Sequence, residues 1–218
     1  MKVRFSARQM TTLAMITAIA YVLVTTVRIP VVLFLKYEPK DVIITIGGFL
    51  MGPMAVLISS FVVSLIEMFS ISDTGIIGCV MNFLSTCSFA FVASLIYKKN
   101  HTMKGAVAGL AVGTVFMTCV MLLWNYLITP LYMGLPRNQV AGLLIPAFLP
   151  FNLVKAGLNS SIILLLYKPL VTGLRKAGLV TPSSASTTQG GKKPFVLIFA
   201  GLLLLSCVLV VLVLQGII

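Results

Sequence analysis

The chain has 218 residues, of which 59% are hydrophobic and 9% charged, with a formal net charge of +12 and a mean hydropathy of +1.12. A soluble domain carries roughly a quarter charged residues, so a soluble globular fold is excluded, and the apolar stretches reach the about 20 residues that a membrane-spanning helix needs. The positive charges lie between apolar stretches and pair with no aromatic platform, which excludes a nucleic-acid surface.

In chain order, the first apolar segment covers about 9–27. Its start, MKVRFSARQMTTLAMITAIA, has the basic head, apolar run and AIA of a signal peptide, but the apolar run continues through YVLVTTV, so a retained helix is predicted. The mixed loop RIPVVLFLKYEPKD follows. Segment two (41–51) is short, and Gly52-Pro53 separates it from segment three (54–70). After the SISDTG turn come segment four (76–97), closed by KKNHTMK, and segment five (105–128), which ends before TPLYMGLPRNQ. Segment six covers 144–171 and segment seven 194–215, joined by TPSSASTTQGGKK, a composition typical of flexible linkers. Segment seven is uniformly apolar and reads as a lipid-facing anchor.

The basic residues sort by side. Lys2, Arg4, Arg8, Lys98, Lys99, Lys104, Lys168, Arg175, Lys176, Lys192 and Lys193 share one side if the spans alternate, whereas Arg28, Lys36, Lys40 and Arg137 occupy the other. The positive-inside rule then places the N-terminus in the cytoplasm and the RIPVVLFLKYEPKD, SISDTG and TPLYMGLPRNQ loops outside.

Polar groups within the spans are few, and ionisable groups at membrane depth face a cavity or a partner. Asn152, Lys155 and Asn159, spaced i, i+3, i+7, share one helix face. Pro146 and Pro150 loosen the helix just before them and free backbone groups to line a cavity. Glu67 closes segment three behind Ser60 and Ser64. Asn82, Ser85 and Thr86 stripe segment four behind Gly75 and Gly78, and Trp124 and Asn125 stand near the outer end of segment five. Two readings remain open: interhelical hydrogen-bonding glue, including a Lys155–Glu67 salt bridge, or a pocket open to the outside. Amide side chains offer donor and acceptor together, and Tyr37, Phe49, Phe83 and Trp124 could supply apolar or stacking walls. Such a pocket suits a planar, polar-edged heteroaromatic ligand.

No GxxxxGK[ST], HExxH or GxSxG motif occurs, and no acidic metal motif, so neither ATP hydrolysis nor a catalytic or metal site is expected. The cysteines Cys79, Cys87, Cys119 and Cys207 form no CxxC or Cys/His cluster. A concentrative importer of this size would draw energy from a partner. Two small-residue motifs could pack closely against another helix: Ala14-x3-Ala18, and Gly105, Gly109 and Gly113.

The segments LKYEPKDV, GGFLMGP, TGIIGCVMNFLST, WNYLITPLYMG and LIPAFLPFNLVKAGLN, in order between about 7 and 168, resemble the riboflavin-specific substrate-binding (S) components of energy-coupling factor transporters. The resemblance implies an all-α integral membrane protein with a six-helix S-component bundle in residues 1–176. A flexible linker (177–193) and an additional transmembrane helix (194–218) follow, outside the family pattern. It further implies riboflavin as transported ligand rather than cofactor, bound near the outer face. The partners it implies are a transmembrane coupling subunit and two cytoplasmic ATPases in a bacterial cell membrane. Asn125, Asn152 and Lys155 would contact the flavin ring, Ala14 and Ala18 the coupling subunit. The outer loop before segment two and the turn at Gly75 would cover the ligand. The alternatives are an S component for another vitamin and a structural membrane protein whose polar residues are only glue.

Overall fold

The computed structural model describes residues 6–72, 74–176 and 194–215. The linker expected over 177–193, Asp73, and the basic residues Lys2, Arg4, Lys192 and Lys193 lie outside the described residues. Helix α1 (Ala7–Thr26) starts at Ser6, whose hydroxyl accepts from Gln9 N–H while the Gln9 side chain accepts from Ser6 N–H, a reciprocal cap. Where the sequence predicts a mixed loop, the chain forms an antiparallel hairpin of β1 (Ile29–Val32) and β2 (Leu35–Tyr37). Leu33, at φ 53°, takes the left-handed position in its two-residue turn.

Helix α2 (Lys40–Met51) follows, then α3 (Pro53–Ser70). Gly52 between them adopts φ 94° and ψ 173°, a conformation open to glycine, and Pro53 supplies the fixed φ suited to a first helical turn. Segment four is one rod in three parts: α4 (Gly75–Thr86), a π-turn (Cys87–Phe91) and α5 (Val92–Lys99). Helix α6 (Met103–Met133) is capped by Thr102, which accepts from Gly105 N–H, and ends at left-handed Gly134. Segment six begins earlier than hydropathy suggested: α7 (Arg137–Leu143), a π-turn (Leu144–Phe148) and α8 (Leu149–Lys176). Helix α9 (Pro194–Leu214) is last.

Among the described residues, six helical stretches are long and apolar enough to cross a membrane, and α2, with 12 residues, is not one of them. At 1.5 Å per residue it is about 18 Å long, short of a hydrocarbon core of about 30 Å. It forms the axis of the bundle instead, packed by α1, α3 and α8, with every residue from Lys40 to Phe49 buried except half-buried Ile43. Large apolar side chains such as Phe61, Phe69 and Val115 cover the outside, as a lipid-facing surface requires.

Burying the start of α2 demands counter-charges. Lys40 Nζ lies 2.5 and 2.6 Å from the Glu67 carboxylate oxygens and 2.9 Å from Glu38 Oε2. Asn82 Nδ2 donates to Glu67 Oε2 at 2.8 Å. Glu67 is therefore the partner of Lys40 and not of Lys155, correcting the salt bridge entertained from sequence. Arg28 closes the cluster, donating to Glu38 Oε1 at 2.9 Å and to the Ile71 carbonyl at 2.8 Å, which ties the hairpin to the α3–α4 turn.

The glycines of α6 serve packing within the chain. A Cβ at Gly109 would stand 2.7 Å from the Ala93 carbonyl oxygen, and one at Gly113 2.7 Å from that of Phe89. The lipid-facing anchor expected of segment seven also packs on the bundle. Leu202, Leu205 and Val213 of α9 are exposed, but its other face docks on α8. Cys207 is buried there, and a Cβ at Gly157 would meet its Sγ at 2.7 Å. At the far end, Gln215 Nε2 donates to the Pro30 carbonyl at 2.6 Å, joining α9 to the hairpin.

Two stability outcomes follow from this packing. Gly109→Leu should lower the thermal stability of the purified protein by about 1–3 kcal/mol or more, because backbone rather than a mobile side chain blocks the new atoms. Glu67→Leu leaves buried Lys40 with Glu38 as its one remaining counter-charge and should cost less than the about 3–5 kcal/mol of a fully unpaired buried ion, whereas Lys40→Met/Glu67→Leu should recover much of that loss. Thermal unfolding of the single and double variants measures both.

Candidate ligand-binding site

A cavity of about 290 Å³ lies under the hairpin. Its cover is Phe34, Leu35, Lys36 and Glu38 with Arg28, and Ser72 and Thr74 contribute from the α3–α4 turn. Helix α4 supplies Met81, Asn82 and Ser85, α6 supplies Met121, Asn125 and Tyr132, and α8 supplies Phe151, Asn152 and Lys155. The i, i+3, i, i+4 and i, i+7 spacings within these sets put the residues on one face of each helix.

The polar side chains are held by other groups of the protein. Asn125 Nδ2 donates to the Met121 carbonyl at 2.7 Å, and its Oδ1 accepts from Thr129 at 2.9 Å. Asn152 Nδ2 donates to the Phe148 carbonyl at 2.7 Å. Each contact fixes the amide plane, and an amide with two donors and a carbonyl retains further capacity for a ligand edge. Lys155 Nζ donates to Ser85 Oγ at 3.2 Å and stands 3.3 Å from Asp41 Oδ2. The π-turn just upstream, in which Leu149 N–H reaches back to the Leu144 carbonyl, widens the helix and sets the orientation of the Asn152–Lys155 face.

A layer behind the cavity supports this one. Tyr37 OH donates to Asn159 Oδ1 at 3.1 Å, and Asn159 Nδ2 donates to Asp41 Oδ2 at 3.4 Å. Thr86 Oγ1 donates to Asp41 Oδ1 at 2.6 Å. Burial, reinforced by the Asp41 charge, pushes the Tyr37 phenol well above its usual range, so it stays protonated and donates. Burial alone would raise the Glu38 carboxyl, but Lys40, Lys155 and Arg28 together hold it below the usual carboxylate range.

The residues singled out from sequence thus separate into groups. Asn82, Asn125, Asn152 and Lys155 meet at the cavity wall. Tyr37, Asn159 and Glu67 lie behind it, in the supporting hydrogen bonds. Gly75, at φ 56°, opens α4 beside the lining residue Thr74 without itself lining the cavity. Trp124 lines a smaller cleft between α4 and α6, with Thr74, Met81 and Tyr132. Phe49 and Phe83 are not part of the site. Phe49 stacks on Tyr97, ring centroids 4.4 Å apart, at the opposite end of the bundle. It is nine residues along α2 from Lys40, about 13 Å at the helical rise. Phe83 follows Asn82 and so points to another side of α4, where it packs edge-to-face on Phe61.

Sequence reading missed Arg28, Lys36, Glu38 and Asp41. The alternation of apolar and polar residues in LKYE, at strand period, and the density of charge in RIPVVLFLKYEPKD were the available signals. Ala14 and Ala18 both lie on the exposed face of α1, beside Met15, Ile19 and Val22. Among the described residues no group of His, Cys, Asp or Glu is placed to hold a metal ion.

Comparison with known proteins agrees with this architecture. Residues 8–167 match the family "ECF transporter, substrate-specific component". The chain is 31% identical over 179 residues to the riboflavin transporter RibU of Staphylococcus aureus (strain TCH60), covering 78% of this chain and 93% of that protein. It is 28% identical over 156 residues to the riboflavin transporter FmnP of Bacillus subtilis (strain 168), covering 66% of this chain and 82% of that protein. A solved S component of a bacterial ECF transporter superposes with a TM-score of 0.65 at 31% identity, over 77% of this chain and 97% of the solved one. The matched family region stops before α9, which is additional to it. With the family match spanning the hairpin, the cavity and the helices around them, the chain belongs to the substrate-specific components of ECF transporters, as a multi-pass α-helical membrane protein.

Proposed function

We propose that this chain binds riboflavin in the cavity under the hairpin and is the riboflavin-specific subunit of an ECF importer. The observation that carries the reading is the convergence of Asn125, Asn152 and Lys155 on one cavity. The chain that carries them is 31% identical to a riboflavin transporter. The isoalloxazine edge has carbonyl oxygens, ring-nitrogen acceptors and an imide N–H. Asn amides match the imide edge, and the lysine donates to a carbonyl or ring nitrogen. A dry pocket has to replace the water that this edge gives up. The cavity is near the lower end of the size range for small-molecule sites, about 300–1,000 Å³.

The same reading assigns orientation and partners. Arg8, Lys98, Lys99 and Lys104 lie at the end of the bundle opposite the hairpin, and the positive-inside rule puts that end in the cytoplasm of a bacterial cell and the hairpin outside. Transport draws on ATP hydrolysed by two cytoplasmic ATPases through a transmembrane coupling subunit. The exposed Ala14 and Ala18 face of α1 is assigned as the surface for that subunit, since small residues let a partner helix approach closely.

Purified protein should quench riboflavin fluorescence with one site per chain, and Lys155→Met, which leaves a ring acceptor buried without a donor, should weaken binding by roughly tenfold to a few hundredfold. Folded protein that does not quench riboflavin but binds another vitamin would replace the ligand; saturable binding of none would leave only a structural role. Replacing Ala14 and Ala18 together with leucine should abolish cellular uptake while leaving riboflavin affinity unchanged. Loss of binding with the transporter complex still assembled would show that the alanines act within the chain instead.

A further inference from the structure

Lys155 lines the cavity, yet its charge is set from behind. An ammonium has three N–H donors. Nζ donates to Ser85 Oγ at 3.2 Å and pairs with the Asp41 carboxylate at 3.3 Å, and donor capacity remains on the cavity side. Asp41 is 1% exposed and does not line the cavity. The other described carboxylates nearby are engaged elsewhere, Glu67 by Lys40 and Asn82, Glu38 by Lys40 and Arg28. Asp41 is held in turn: Thr86 donates to Oδ1 at 2.6 Å, and Asn159 to Oδ2 at 3.4 Å. Adjacent residues of α4, Ser85 and Thr86, thus grip the two members of one ion pair.

Resting on the riboflavin reading above, we propose that Asp41 is a positioning residue for the ligand: it fixes the Lys155 ammonium, through the Asp41–Lys155 pair, so that the remaining N–H is presented to the flavin ring. The Lys155 charge is thereby matched at its back by Asp41. The flavin edge then meets a fixed donor rather than a mobile charge on a four-carbon stem. The arrangement favours an uncharged acceptor over a carboxylate or phosphate at this point, since the counter-charge position is already filled.

The test is a double-variant cycle read on the bound flavin. Asp41→Asn keeps the side-chain volume and an oxygen for Thr86, but turns an NH2 group toward Lys155 and Asn159, both donors. Riboflavin affinity should fall about tenfold or more, and the visible spectrum of the bound flavin should move to that of Lys155→Met. In the Lys155→Met background, Asp41→Asn should have little further effect; with Lys155 present, Asp41→Glu should keep part of the wild-type spectrum that Asp41→Asn loses. Wild-type affinity in Asp41→Asn, or losses that multiply in the double variant, would overturn the proposal, because Asp41 would then act structurally or through another group. If Asp41→Asn does not fold, Thr86→Val serves in its place. It removes the hydroxyl that holds Asp41 and should weaken binding by a smaller factor that vanishes in the Lys155→Met background; an unchanged affinity or a persisting loss counts against the proposal. If the wild-type protein binds no riboflavin, the ligand assignment fails by itself. The same cycle read on the thermal stability of the ligand-free protein then decides the pair, non-additive losses upholding it and additive ones overturning it.

Discussion

Two adjacent residues of opposite charge, Lys40 and Asp41, begin a helix that is buried almost throughout. An ion withdrawn from water without a partner is costly, and more so at membrane depth. Because neighbouring residues on a helix point about 100° apart, the two charges cannot satisfy each other and each collects its own partners from the surrounding chain. Lys40 draws Glu38 and Glu67, and through Glu38 also Arg28. Asp41 draws Thr86, Lys155 and Asn159. These contacts join the hairpin, α2, α3, α4 and α8 around one short segment. The cavity sits on top of that junction.

This arrangement divides the polar residues by depth. Asn82, Asn125, Asn152 and Lys155 reach the cavity, whereas Tyr37, Glu67, Asn159 and Asp41 hold their positions from behind. Both readings that the sequence left open are therefore present in one molecule. Interhelical hydrogen bonds form the support, and a smaller set of side chains remains directed at a ligand-sized space. The two π-turns fall at the joints of this construction, Cys87–Phe91 just after Thr86 and Leu144–Phe148 just before Asn152. Wide turns at such places adjust the direction of a helix face without ending the helix.

How much of this could be read from sequence follows from the physics of each element. Long spans were legible because hydropathy is additive along a chain, and the Gly52-Pro53 break was legible because few residues tolerate that backbone. The shared face of Asn152, Lys155 and Asn159 was legible from helical period, but period does not say how deep each residue lies: Asn152 lines the cavity and Asn159 does not. The hairpin escaped because its strands are three and four residues long, too short for a firm pattern beside long apolar spans. The partner of Lys155 escaped because pairing across 114 positions is fixed by tertiary packing. Glu67 and Asp41 are equally acidic in the sequence, and only the placement of α2 decides between them. Phe49 was misassigned because aromatic character alone says nothing about distance along a helix axis.

The shortness of α2 also bears on how the protein enters the membrane during synthesis. A 12-residue helix headed by two charges lacks the length and apolarity to partition into lipid as an independent unit. It must enter joined to α3 through the Gly52 turn, or wait beside the bilayer. Glu38 and Arg28 are made before it, and Glu67 follows soon after, so Lys40 can be neutralised early. Asp41 has no such neighbour: Lys155 and Asn159 lie more than a hundred residues downstream. Until α8 is threaded, Asp41 has the Thr86 hydroxyl but not its cationic partner Lys155. The counter-charge for Asp41 therefore arrives with α8, after the helices that form most of the cavity walls.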